Sequence, residues 1–297
     1  MKKSDKKETV ESPILKELDL VSKIAFNYGF TPIVAPKIID DDRARAKTWK
    51  TSDTYINESE ERLTLMRLFQ NMAFAHIAQP PMLYMKKPFP GNDIKKKSNY
   101  LSCGLEILNV GRASAEAIII NTAWAILSEC GCDDMRIEIN SIGDKESFSK
   151  SERELHSYFR NNIHKLTPEM RQKFKENNLN IISSVEKMGG KENEEFLANI
   201  PKSVSSLTES SREHFKEVLE FLECLKLPYQ INNNLVPNKY YSSHTIFEIK
   251  GIIEKSGTEI TLCAGGRYNY LAKRAGYKKD IPAIGANIIY PKIIAPC

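Results

Sequence analysis

The chain has 297 residues, of which 41% are hydrophobic and 27% charged, and its formal net charge is +5. That length supports one large core, or one core with a small satellite, and the composition is that of an ordinary globular protein rather than a disordered or fibrous one. No apolar run reaches the roughly 20 residues of a membrane span, and the charged start at residues 1–8 has no apolar stretch of a secretory leader, so a cytoplasmic protein without membrane contact is expected. The six cysteines contain no CxxC pair, and the five histidines show neither ligand spacing nor a nucleophile partner. Reduced thiols, no metal site and no Ser/His/Asp or Cys/His constellation follow.

In chain order, residues 12–27 carry apolar side chains at helical spacing behind Ser12 and Pro13, with Gly29 placed to end the helix. Residues 31–39 read as a strand interrupted by Pro32 and Pro36, which suits an edge or interface. Residues 62–68 read as a strand running into a helix over 70–77. Residues 82–86 and 100–108 form a strand pair around a basic loop, 87–99. The run 114–130 is apolar on most faces and predicts a buried helix, and 135–139 is a strand followed by an Asn140-Ser141-Ile142-Gly143-Asp144 turn or cap. Residues 145–211 are polar and helical, with a Gly189-Gly190 break, and read as an inserted subdomain. The core pattern resumes with a helix over 211–225, strands over 229–232, 245–251 and 259–263, a helix starting at 267, and a strand over 283–290. The expected architecture is a mixed, largely antiparallel α+β core over 1–144 and 212–297, with a helical insertion over 145–211.

Several segments, in order, resemble the catalytic core of bacterial histidyl-tRNA synthetase, a class II aminoacyl-tRNA synthetase. Tyr28-Gly29-Phe30 followed by Ala35-Pro36 resembles motif 1, and Gly104-Leu105-Glu106-Ile107-Leu108 the end of motif 2. Asn140-Ser141-Ile142-Gly143-Asp144 is similar to the family's Asn-Ser-Leu-Gly-Asp turn, and Ser211-Arg212-Glu213-His214-Phe215 leads into the helix before the histidine-specific motifs. Leu235-Val236 through Phe247-Glu248 and Ala264-Gly265-Gly266-Arg267-Tyr268 resemble those two motifs, and Pro282-Ala283-Ile284-Gly285 opens motif 3. The resemblance implies an antiparallel sheet flanked by helices with a helical insertion, and a homodimer with Pro36 at its interface. It implies a histidine-pocket remnant of Glu106, Tyr241, Gly265, Gly266, Arg267 and Tyr268. It also implies an anticodon-binding domain after motif 3, where this sequence ends at Cys297.

Adenylate formation needs fixed cations against the α-phosphate of ATP, ideally guanidinium forks. The family's arginines are replaced here. The motif 2 loop reads Pro88-Phe89-Pro90-Gly91-Asn92-Asp93, Pro237 stands in the first histidine motif, and Lys292 after Pro291 in motif 3. Leu68 replaces the carboxylate that holds the substrate amine, and Ser102 replaces a motif 2 glutamine. No catalytic residue is therefore assigned, no cofactor is expected, and ATP binding is doubtful. The expected role is that of a non-catalytic paralogue acting through binding, as a regulatory or assembly subunit. The regulatory subunit of ATP phosphoribosyltransferase is the relative it resembles in this respect, which implies a phosphoribosyltransferase catalytic subunit as partner. The alternatives are a histidine–tRNA ligase with a rebuilt site, or a tRNA-binding module using Lys86, Lys87, Lys95, Lys96 and Lys97 against phosphates.

Overall fold

The computed structural model describes residues 18–47, 58–87, 100–176, 181–186, 191–235, 237–238, 240–252 and 259–292. Helix α1 (Leu20–Asn27) is capped by Asp19, whose carboxylate accepts from the Ser22 amide at 2.9 Å. It ends as predicted on Gly29, which has φ 91° and lets Phe30 N–H return to the Ala25 carbonyl. The predicted start at Ser12 and Pro13 lies outside the described residues. Strand β1 is only Thr31–Ile33. Residues 34–39, Pro36 among them, have no regular structure, and Pro36 is half-buried between exposed Val34 and Ile39.

Two helices follow where the sequence pattern gave a strand or nothing. The first is α2 (Asp40–Lys47), with three aspartates in its first turn. The second is α3 (Glu58–Gln70), which covers the segment expected as a strand over 62–68. The reason is burial. Arg62, Leu63, Thr64, Leu65, Met66 and Leu68 are all buried, so no exposed stripe marks a helical period, and a helix covered on nearly every side is read as a short apolar strand. Its residues are strong helix formers, with Thr64 alone β-branched. Thr64 donates to the Glu60 carbonyl one turn back and to the buried Asp42 carboxylate, both at 2.9 Å, and Arg67 reaches Asp42 at 3.2 Å. This ties α3 to α2. The predicted helix over 70–77 is absent, because α3 stops in a Schellman turn with Met72 at φ 59°, Met72 N–H on Phe69 O and Ala73 N–H on Leu68 O.

Strands β2 (Met82–Lys87) and β3 (Tyr100–Leu108) pair antiparallel as expected. The buried helix α4 (Ser114–Glu129) leads to β4 (Asp133–Gly143), which runs through most of the predicted turn. Asp144 is the cap of α5 (Lys145–Asn161). Then come α6 (Pro168–Lys175), α7 (Ile181–Glu186) and α8 (Lys191–Ala198), which share a small core around Phe159, Met170, Val185 and Phe196. The two ends of this stretch are stitched together: the Asp144 carboxylate accepts from Ser147 and, at 2.7 Å, from the Thr208 hydroxyl. Burial alone raises the Asp144 pKa, but these hydrogen bonds outweigh it and hold the carboxyl ionised below its usual range.

The chain closes with α9 (Glu209–Cys224), β5 (Tyr229–Ile231), β6 (Ser243–Ile252), β7 (Glu259–Arg267), a short α10 (Leu271–Arg274) and β8 (Ala283–Pro291). β7 therefore extends through Arg267, where a helix start was predicted. The strands form one eight-stranded mixed sheet in the order β1-β2-β3-β8-β7-β6-β4-β5. Its β1–β2 and β4–β5 pairs are parallel and the pairs between them antiparallel. Alternation along the strands sends two sets of side chains to opposite faces. Tyr84, Leu105, Ile107, Ile284, Ala286 and Ile288 meet α1, α4 and α9 in the main core. Leu83, Met85, Leu108 and Ala283 meet α3 and α10 in a second core that covers the β2–β3–β8 end of the other face. Cys103, Cys130, Cys132 and Cys263 are buried, and burial first of all pushes the Cys130 and Cys132 thiols up to about 12. No helix among the described residues is long and apolar enough to cross a membrane.

Candidate ligand pocket and buried ionic network

The candidate site is a buried cluster on the α3 side of the sheet, centred on Glu106 of β3. Glu106 is fully buried and sits in register with Gly285 of β8, which in turn pairs with Gly266 of β7. A Cβ on Gly285 would overlap the Glu106 carboxylate, so only glycine admits the acid there. The Tyr268 hydroxyl donates to Glu106 Oε2 at 2.6 Å. Opposite them stands Arg62, carried in by α3. Its Nε lies 3.8 Å from Glu106 Oε1, and an Nη donates to the Gly285 carbonyl at 3.2 Å. Its guanidinium lies 4.6 Å from the centre of the Tyr268 ring and 5.9 Å from that of Tyr241. One helical turn before it, Ser59 donates to the Tyr241 hydroxyl at 3.4 Å.

Beside this group, Lys87 folds back across Gly104, and its ammonium is held by Glu61 of α3 and Asn287 of β8. Lys87, read from the sequence as a phosphate contact, thus has its side chain inside the fold. Lys86 is exposed and pairs with Asp19 at 2.9 Å. Lys95, Lys96 and Lys97 lie outside the described residues.

The remaining expected pocket residues divide. Glu106, Tyr241 and Tyr268 come together. Gly265 and Gly266 have a packing reason of their own: a Cβ on Gly265 would come within 2.6 Å of the Phe247 ring and 2.7 Å of the Gly285 carbonyl, and one on Gly266 within 2.8 Å of the Thr245 carbonyl. Arg267 is not beside them. It points to the opposite, helix-covered face, because successive residues of a strand alternate. There it donates Nε and Nη2 to the two oxygens of Glu116 on α4, each at 2.5 Å, and reaches the Val110 and Arg112 carbonyls at 2.7 Å.

Glu116 also accepts from the Thr245 hydroxyl at 3.2 Å and bonds His214 Nε2 at 2.7 Å. Its burial raises the pKa, but the His214 hydrogen bond and the Arg267 charge more than offset this and keep it ionised. The His244 ring packs 5.1 Å from that of His214. Burial, then the His214 and Arg267 charges, lower its pKa to about 4. Reasoning from the sequence missed both ionic groupings. Glu116 falls inside the run 114–130, read as apolar on most faces, and Arg62 at the start of the segment read as a strand. The available signal was that both are charges inside otherwise apolar stretches, where a charge needs a partner.

Of the residues that the sequence resemblance sets against the family's catalytic groups, Leu68 is buried in the second core, Pro237 is buried, and Lys292 is exposed just past β8. Among the described residues, no group of three or more His, Cys, Asp or Glu side chains is placed to hold a metal ion.

No protein-family profile matches the chain. It is 35% identical over 173 residues to the histidine–tRNA ligase of Streptococcus mutans, covering 58% of this chain and 39% of that protein. With the ligase of Rippkaea orientalis it shares 30% identity, over 73% of this chain and 48% of the relative. With that of Listeria innocua it shares 27%, over 92% and 68%. The chain thus spans about half the length of several curated relatives it matches. Among solved structures, apo Staphylococcus aureus histidyl-tRNA synthetase superposes with a TM-score of 0.63 at 20% identity, over 90% of this chain and 65% of the other. An ATP phosphoribosyltransferase regulatory subunit/histidyl-tRNA synthetase from Bacillus halodurans C superposes at 0.59 and 15%, over 90% and 74%. The eight-stranded mixed sheet with its flanking helices, superposed on these structures, is a class II aminoacyl-tRNA synthetase fold. Within that class, the chain carries a histidyl-tRNA synthetase-like core.

Proposed function

We propose that this core acts through binding rather than catalysis, as a non-catalytic paralogue of histidyl-tRNA synthetase with a regulatory or assembly role. One observation carries the reading: two cations beside Glu106, Arg62 and Lys87, are each paired with a carboxylate of the chain itself, Glu106 and Glu61. Pro237, Leu68 and Lys292 stand where the family has its reactive contacts. At these positions a developing negative charge on a phosphate would find no guanidinium fork, and one missing donor of that kind costs about 10²–10³ in rate. The partner would be a protein, a phosphoribosyltransferase catalytic chain, in keeping with the likeness to the ATP phosphoribosyltransferase regulatory subunit/histidyl-tRNA synthetase of Bacillus halodurans C. A homodimer through exposed Val34 and Ala35 and half-buried Pro36 fits the same reading. Histidine-dependent ATP–pyrophosphate exchange tests it. No exchange above a histidine-free blank is expected, and clear exchange overturns it.

A second reading, histidine–tRNA ligase activity from a rebuilt site, is favoured by the curated relatives, which are named histidine–tRNA ligases. The same exchange assay decides between the two. Contact with tRNA through exposed Lys86 and the basic loop belongs to either reading, and a salt-sensitive shift of labelled tRNA reports it.

A further inference from the structure

We infer that Arg62 is a tethered ligand of the chain's own pocket, so that the site is closed to small molecules in the native fold and is complementary to a planar cation. The inference rests on the non-catalytic reading and concerns the same site.

Each surface of the guanidinium has a counterpart. Its central carbon lies over the Tyr268 and Tyr241 rings, at 4.6 and 5.9 Å from their centres, its Nε lies 3.8 Å from Glu106 Oε1, and one N–H is taken by the Gly285 carbonyl. Glu106, Arg62, Tyr241 and Tyr268 are all buried, so the charge pair is removed from water. A carboxylate in that position demands a cation, and the chain supplies it in cis. The device depends on α3 being a helix. Residues three apart share a helical face, which puts Ser59 on Tyr241 and Arg62 on Gly285 together. The Glu61–Lys87 pair fastens the same turn of α3 to β2. A site of two aromatic rings and a carboxylate favours a delocalised, planar, weakly hydrated cation over a compact ammonium.

The test is R62A titrated with methylguanidinium chloride, with tetramethylammonium chloride as the charge-matched, non-planar control. R62A is expected to melt below the parent protein and to bind methylguanidinium with a dissociation constant on the order of 1 mM, seen as a rise in melting temperature and by calorimetry. The parent protein and the R62A/E106Q double variant are expected to show no response. If R62A does not fold unaided, its refolding yield from urea with and without methylguanidinium is the readout, and an increase is expected. Absence of any methylguanidinium effect on R62A, or an equal effect on the parent protein, overturns the inference. Histidine-dependent pyrophosphate exchange by the parent protein would instead overturn the non-catalytic reading, so the two failures are distinguishable.

Discussion

Replacing Arg267 by methionine keeps much of the apolar stem and deletes the guanidinium that engages both oxygens of Glu116 and the Val110 and Arg112 carbonyls. Neither side chain of the pair has any solvent exposure. Water therefore does not replace the lost donors, and Glu116 keeps only His214 and Thr245 as partners. Breaking one half of a buried ion pair costs about 3–5 kcal/mol, because the other charge stays buried. At roughly 2–4 °C per kcal/mol for a domain near this size, a loss of about 4 kcal/mol lowers the melting temperature by about 8–16 °C. Urea and thermal unfolding followed by circular dichroism at pH 7.5 measure it. The double variant E116Q/R267M should lose distinctly less than the two single losses added together, since it leaves no charge stranded. A loss below about 1 kcal/mol in R267M, or strict additivity in the double variant, refutes the assignment of Glu116–Arg267 as a desolvated pair.

Gly265→Ala forces a methyl group against Phe247 and the Gly285 carbonyl. A destabilisation of about 1–3 kcal/mol in urea unfolding is expected, and a neutral result would show that the β7–β8 contact yields. The His244 ring is neutral in the folded chain down to about pH 4, but accepts a proton near 6.5 once unfolded. Its contribution to stability is therefore complete above about pH 6.5 and is lost as pH falls from there toward 4. H244N, with a residue that tolerates the left-handed backbone at φ 47°, should flatten the decline in urea midpoint between pH 7 and pH 5. An unchanged slope in H244N refutes the assignment. Asp42→Ala leaves Thr64 and Arg67 without the carboxylate that joins α2 to α3. A loss of about 2 kcal/mol and faster proteolysis near residues 40–47 are expected.

Segments with a clear period, or with an apolar run of a length that only one element type fits, were legible along the chain. The C-terminal part of α1 with its Gly29 stop, the β2–β3 pair, α4, α9 and β8 stand where the pattern put them, within a few residues. The motif resemblance, resting on short strings such as Ala264-Gly265-Gly266-Arg267-Tyr268, carried the fold class, and three of the residues it singled out, Glu106, Tyr241 and Tyr268, lie in one buried cluster. What sequence could not decide is where the fully buried elements and charges go. α3 is covered on nearly all sides, so its period vanished and it read as a strand. Arg267 and Tyr268 are neighbours in sequence yet stand on opposite faces of β7, one bound to Glu116 and the other to Glu106. Arg62 and Glu106 meet only because a helix and a strand far apart in sequence pack together. Periodicity is a local property of the chain. The partner of a buried charge is set by packing between distant segments, and only the tertiary structure decides it.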